Sequence, residues 1–306
     1  MQKYLFIVLL SSLALGCGSG TKNGNAEDKR VLTVTIEPQR YFLDQIVGDA
    51  FTVNTLVPPG TSPETYEPAP SVMIDMGKSD IYFMVGGLGF ENAWSKRLTE
   101  NNPDVTIVNC SEGIDLMEGH GHNHDHAHGH HDQADGHGHA HSHGAMDPHV
   151  WSSPLAVKIF IRNMLGAVVK ADPDNEEIFR TGFDEFSVKI DRTDSLIRNL
   201  LVNIPSKSFI IYHPALGYFA RDYGLYQYSV EFEGKSPSPS QIKELVDIAR
   251  KEKINTVFIQ RGFDTKNAAV IAQEIGAEVF EIDPLRYEWD EELLRIATIL
   301  ARETDE

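Results

Sequence analysis

Cysteine is nearly absent: among 306 residues only Cys17 and Cys110 carry a thiol. Cys17 falls in an N-terminal export segment, so Cys110 stands alone in the remaining domain. One thiol can form neither an internal disulfide nor a zinc–thiolate cluster, and Cys110 is expected to be a buried small hydrophobe. Long apolar runs are also missing. Beyond the N-terminus no stretch approaches the ~18 residues of a membrane span, so the remainder is expected to be soluble. Positive charge is scarce, with 27 Lys and Arg against 45 Asp and Glu and a formal net charge of −18. Such a surface repels nucleic-acid phosphate and suits cations. No H-E-x-x-H motif occurs. The glycine-rich "VGGLGF", residues 85–90, lacks both a GKS/T ending and the G-x-G-x-x-G pattern of a phosphate loop.

What is present begins with "MQKYLFIVLLSSLALGC". One Lys3, an apolar stretch from Tyr4 to Leu10 and small residues before Cys17 have the layout of a secretory signal. "ALGC" looks like a bacterial lipobox in which Cys17 is lipidated, with Leu15 where Ala or Ser is usual; plain secretion with an unmodified cysteine is the alternative. The following "GSGTKNGNAEDKR" is a flexible tether. At 41% hydrophobic and 24% charged residues the rest can build a full core, as one large domain or two ordinary ones.

From Val31 onward strand and helix patterns alternate. "VLTVTI", "FTVNTLV", "IYFMVG" and "VTIVNC" read as strands, with helical stretches ending near Val47, over "PSVMIDMGKS" and over "ENAWSKRLTENN". A further helix is predicted from Pro154 to Lys170. The stretch from Asp172 to Leu201 carries a helical stripe that includes Phe179, Phe186, Ile190 and Ile197. It predicts one long helix, with Asp172 as N-cap and Pro173 in its first turn. "SFIIYH", "YQYSVEF", "NTVFIQ" and "AEVFEID" then alternate with helices near 216–223, 239–251, 266–276 and 291–302. The fold class is α/β, two parallel-sheet lobes joined by a long stiff helix. The predicted division is a signal over 1–17, a tether over 18–30, an N-terminal lobe over 31–171, the linker helix over 172–203 and a C-terminal lobe over 204–306.

Metal-competent residues fall where ligands gather in open α/β sheets, beyond the carboxyl ends of strands. "FIIYH" puts His213 there, "VFEID" does the same for Asp283, and "MDPHVW" carries His149 just before a helix. Singly each has a structural explanation, since a strand-end His is often a hydrogen-bonding residue and Asp before Pro starts turns. In order, "LVPPGTSPETYEPAPS", "DPHVW", "HPALGYFA", "EFEGKSPSPSQI" and "EIDPL" resemble the substrate-binding proteins of zinc and manganese ABC transporters, the ZnuA-like cluster A-I family. The resemblance runs from about Val31 to the C-terminus. It implies two α/β lobes bridged by a rigid helix, with one metal held between them and no catalysed reaction. It also implies His149, His213 and Asp283 as ligands. The first motif normally carries His after "SP"; here that position is Glu64, a harder, charged ligand.

Two neutral imidazoles and two carboxylates balance a divalent cation, which a buried site tolerates. This set leaves the cargo open. Carboxylates favour manganese or iron, whereas the histidine-rich insert favours zinc, and Zn²⁺ is expected. The implied partners are a permease with its ATPase, the metal ion and, through the anchor, the membrane; a monomer outside the cytoplasm is expected. Two other readings are a metallohydrolase with Glu67 as general base and a metal-dependent surface adhesin. "EFEGKSPSPSQI" is read as structural, with Ser238 and Ser240 able to cap a helix, or as a surface for the permease. The aromatics Tyr212, Tyr218, Phe219, Tyr223, Tyr226 and Tyr228 are read as core or cleft lining.

Eleven of the thirteen histidines lie in the insert: His120, His122, His124, His126, His128, His130, His131, His137, His139, His141 and His143. With no apolar residue to bury among them, they are expected to form overlapping weak metal sites that feed the main one and release metal on acidification. One of them could also fold over the cleft and supply the imidazole that Glu64 replaces, leaving Glu64 as a partner behind the ligands. Deleting residues 120–143 and titrating zinc against a competing chelator tests this. An undiminished tight site rules the insert histidine out.

Overall fold

The computed structural model describes residues 29–119, 146–231, 235–261 and 266–302. The export segment with Cys17 and the insert between His120 and His143 lie outside them. The N-terminal half contains strands β1 (Val31–Val34), β2 (Thr52–Thr55), β3 (Ile81–Met84) and β4 (Thr106–Asn109), with helices α1 (Glu37–Val47), α2 (Pro70–Met76) and α3 (Gly89–Asn101). Helices α4 (Pro154–Ala171) and α5 (Glu176–Leu200) follow. The C-terminal half alternates β5 (Ser208–Ile211), α6 (Gly217–Tyr223), β6 (Tyr226–Ser229), α7 (Pro239–Glu252), β7 (Thr256–Gln260), α8 (Lys266–Ile275), β8 (Glu278–Ile282) and α9 (Trp289–Leu300).

Each half builds one four-stranded sheet, in the orders β2-β1-β3-β4 and β6-β5-β7-β8, and every pairing is parallel. Helical crossovers cover both faces of such sheets, so central strands read as continuous apolar runs rather than alternations. All four residues of β5 are buried accordingly. In both sheets the order reverses between the two central strands, which opens a crevice at their carboxyl ends. The first crevice lies beyond β1 and β3, the second beyond β5 and β7.

The predicted first strand is cut short for a local reason. Gln39 Oε1 accepts the N–H groups of Thr35 (2.9 Å) and Ile36 (3.1 Å), which turns the chain into α1 instead of continuing the ladder. At α4, Ser153 caps the first turn by accepting from Ala156 N. At α7, Ser238 does so with Gln241 in a capping box, while Ser240 lies inside the helix. The expectation for Asp172 is corrected. A short 3₁₀ turn over Pro173–Asn175 intervenes, α5 starts at Glu176 with Asn175 as N-cap, and Asp172 precedes the 3₁₀ turn instead, its side chain accepting from Asn175 Nδ2 (2.8 Å).

At 25 residues α5 is about 37 Å long. It buries Phe179, Phe186, Ile190 and Ile197, worth roughly 1.5–3 kcal/mol each as an upper estimate. Its neighbours are α1 and α4 from the first half and α9 from the second. Directed bonds reinforce that junction. Tyr41 OH donates to Asp290 Oδ1 (2.5 Å), and Lys189 pairs with Asp290 (3.1 Å) and also bonds Tyr41. Tyr287 OH donates to Asp44 (2.7 Å), and the indoles of Trp289 and Trp151 donate to Trp151 O (2.6 Å) and Pro284 O (2.8 Å). The two sheets thus share one continuous core. Cys110 is buried in it as a free thiol. Of the aromatics read as core or lining, Tyr226 is 65% exposed, while Tyr212, Tyr218, Phe219 and Tyr223 are buried.

The α1–α5 packing depends on Gly182. A β-carbon there would lie 2.6 Å from Gln45 O and 2.7 Å from Ile46 O, both backbone atoms that cannot rotate away. Gly182→Ala gains about 1 kcal/mol of helix propensity but must force the helices apart, an over-packing cost of about 1–3 kcal/mol. A net loss of stability on denaturant unfolding is expected; a gain would mean that α1 retreats freely.

Candidate metal centre

His149 follows Asp147–Pro148 and opens the 3₁₀ turn Val150–Ser152 that leads into α4. The turn folds Asp147 back, so its Oδ1 accepts from both His149 N (2.9 Å) and the ring Nδ1 (2.7 Å). His213 lies just past the end of β5. Its main chain is clamped by Gln260 at the end of β7, through Gln260 Oε1 to His213 N (3.1 Å) and Gln260 Nε2 to His213 O (2.6 Å). Its Nδ1 donates to Glu231 Oε2 at 3.1 Å. Each ring is held by a carboxylate at Nδ1, which turns its Nε2 into the site.

Those two Nε2 atoms face each other at 3.1 Å. At that distance one proton can be shared between them, and a divalent cation can take its place. Glu64 is the third member. Its Oε2 accepts from Gly89 N (3.1 Å), while Oε1 is buried without a hydrogen-bond partner. Burial of an unsatisfied carboxylate oxygen is costly, and a cation at this point would satisfy it. One ligand atom from each of Glu64, His149 and His213 lies within 4.8 Å of the others. Asp283 lines the same pocket as His149 and His213 but falls outside this three-residue group. Its Oδ1 accepts from Leu285 N (3.1 Å) and its own N–H donates to Glu292 Oε1 (2.8 Å). Glu67 is exposed and not part of the group.

Burial pushes the His149 pKa down, but the charge and hydrogen bond of Asp147, followed by the charges of Glu64 and Glu231, outweigh it and leave the value raised. Burial likewise raises the Asp283 carboxyl. Imidazolium at His149 therefore stabilises the metal-free fold. That contribution is complete below the unfolded value of 6.5 and is lost as pH rises through the higher folded one. A metal needs the opposite state, the neutral ring, so protons and metal compete for Nε2.

Asp147, Glu231 and Gln260 are absent from the ligand set read off the sequence. Asp147 lies inside "DPHVW", two residues before its histidine, where a turn brings it within reach. The register of β5 on β6 pairs Ile211 with Ser229, so two residues further on His213 comes to lie beside Glu231. The insert's two ends are also tied here. Glu118 and Met146 form an antiparallel bridge, Asp147 N donates to Met117 O (2.9 Å), and Tyr218 OH donates to Asp147 O (2.6 Å).

Comparison with known proteins adds the following. The profile of the family described as zinc-uptake complex component A, periplasmic, matches residues 32–296. The high-affinity zinc uptake system protein ZnuA of Bacillus subtilis (strain 168) is 32% identical over 92% of this chain and 88% of its own length. The manganese ABC transporter substrate-binding lipoprotein PsaA of Streptococcus mitis is 27% identical over 90% of this chain and 87% of its own. A solved structure titled as the crystal structure of ZnuA superposes with a TM-score of 0.79 at 32% identity, covering 90% of this chain and 98% of that one.

Asp147→Asn keeps an acceptor for His149 but removes the charge that orients and polarises the ring. A loss of roughly ten- to a hundredfold in affinity for divalent metal is expected, read by chelator competition. Unchanged affinity would show that Asp147 does not tune the ligand.

Proposed function

We propose, from the premise that the chain belongs to the family of periplasmic zinc-uptake components, that it is the extracytoplasmic substrate-binding protein of an ABC importer, with a divalent metal as its cargo. The observation that carries this reading is the 3.1 Å approach of two carboxylate-anchored imidazoles beside the unpartnered Glu64 oxygen. We assign Glu64, His149 and His213 as ligands, with Asp283, which lines the same pocket, completing the shell. The chain captures the ion outside the cytoplasm and hands it to a permease worked by a separate ATPase. It catalyses no reaction.

Zinc is the proposed cargo. Two imidazole nitrogens and carboxylate oxygens suit its four-coordinate geometry. Manganese is the second reading, favoured by the harder carboxylate at position 64 and by the kinship with a manganese ABC transporter substrate-binding lipoprotein. Capture displaces the proton shared by the two rings and is driven by the charges of Glu64 and Asp283. Asp147 and Glu231 add two further negative charges behind the rings, which raises the local concentration of cations. Acidification protonates Nε2 and favours release.

We further assign Cys17 as a lipid-anchored residue that holds a monomer at the membrane, and the insert as an accessory store of zinc. No helix among the described residues is long and apolar enough to cross a membrane.

Elemental analysis of protein purified without added metal, with and without residues 120–143, tests the cargo. One tightly held zinc in both forms is expected, and manganese or iron in the insert-free form overturns it. Growth of a deletion strain in zinc-depleted medium tests the role. Wild-type chain should restore growth and His213→Ala should not; equal rescue by both would remove the site from the function.

A further inference from the structure

We propose that Glu91 is a positioning residue of the metal centre, holding the turn that aims Glu64. The proposal rests on Glu64 being a ligand. Glu91 lies in the first turn of α3 and is fully buried. Its Oε1 accepts from Thr35 Oγ1 (2.6 Å) and Val85 N (2.7 Å), and its Oε2 from Gly86 N (2.8 Å) and Gly87 N (3.1 Å). These four donors come from the ends of β1 and β3, the crevice of the first sheet. One carboxylate therefore draws the chain after β3 into a closed turn that delivers α3.

The turn has a conformation that an L-residue rarely adopts. Gly86 and Gly87 have φ of +101° and +115°, and a β-carbon at Gly86 would lie 2.2 Å from Asn109 Oδ1. Glycine takes such angles without strain, and Glu91 selects this one arrangement by accepting both N–H groups.

What the turn holds is the metal site. Gly89 N donates to Glu64 Oε2, and Phe90 N donates to Pro63 O at 2.9 Å. Both the side chain of Glu64 and the main chain before it are thus hung on the start of α3. The approach leaves no room for a side chain, since a β-carbon at Gly89 would meet Glu64 Oε2 at 2.6 Å. Gly87 in turn packs against Pro148, the residue before His149, with a built β-carbon 3.7 Å from Pro148 Cβ.

Only a carboxylate fits the role. It accepts on both oxygens, whereas Gln presents an amide N–H₂ to one pair of donors and leaves them unsatisfied. Burial pushes the Glu91 carboxyl up from its ordinary value, against the opposing bonds from Thr35 and the backbone at Gly86, Val85 and Leu88. A buried charge satisfied by neutral donors is an expensive way to start a helix, which its use in fixing a ligand explains.

The test is a double-mutant cycle on the full chain. The affinity of the tightest Zn²⁺ site is read by chelator competition, and stability by thermal unfolding. Glu64→Ala should weaken zinc roughly ten- to a hundredfold, and Glu91→Gln roughly tenfold. In the Glu64→Ala background, Glu91→Gln should cost no further affinity, although its effect on stability persists. Thr35→Val removes a single donor and keeps the test open should Glu91→Gln fail to fold. It should weaken zinc in the same direction by less, and only when Glu64 is present. If Glu64→Ala leaves affinity unchanged, Glu64 is not a ligand and the proposal falls with that assignment. If Glu64→Ala weakens zinc but Glu91→Gln and Thr35→Val do not, the ligand stands and the positioning role is overturned. Equal losses with and without Glu64 overturn it too, because they mark a general structural effect.

Discussion

The structure turns on two imidazole nitrogens held face to face by forces that act elsewhere. At 3.1 Å the Nε2 atoms of His149 and His213 can share one proton, and a divalent cation competes with that proton for both. Asp147 and Glu231 impose the arrangement by taking the Nδ1 protons, and the chain around them is built to keep those carboxylates in place. The arrangement is paid for by what it binds. A cation held as proposed between the rings and Glu64 would satisfy the buried Glu64 Oε1 and take the place of the shared proton, with the donors already in position.

That geometry draws on both sheets in the same way. Each sheet reverses its strand order at its centre, and each reversal opens a crevice where loop residues converge. In the second sheet the crevice holds His213 and its clamp Gln260. In the first it holds Thr35 and the turn over residues 85–89, which reaches the site through Gly89. The core that joins the halves is continuous, and Trp151 bonds across it to Pro284. The residue after Asp283 is therefore fixed to the residue two past His149. Walls so connected cannot swing apart without breaking these bonds.

Much of this was legible in the sequence, for identifiable reasons. Buried parallel strands are apolar, β-branched runs, so β5 and β7 announce themselves. The long helix shows as a stripe through Phe179, Phe186, Ile190 and Ile197. His149 and His213 stand in short motifs whose order is distinctive, and the substitution at Glu64 is visible because its neighbours match. What could not be read depends on register or on turns. Glu231 meets His213 only because β6 pairs with β5 in one alignment, and sequence spacing alone does not fix that alignment. Glu91 is two residues from Gly89, yet its role needs a turn with two positive φ values before the distance means anything. The start of α5 is not legible because a 3₁₀ turn and a helix both accept Pro in their first positions.

The bridge between Glu118 and Met146 has a practical consequence. Because the chain leaves and returns at one paired point, whatever is spliced between those residues pulls little on His149. Doubling the length of a flexible loop costs only about 0.6 kcal/mol in closure entropy. An engineer can therefore use the same junction as a port for a fluorescent reporter.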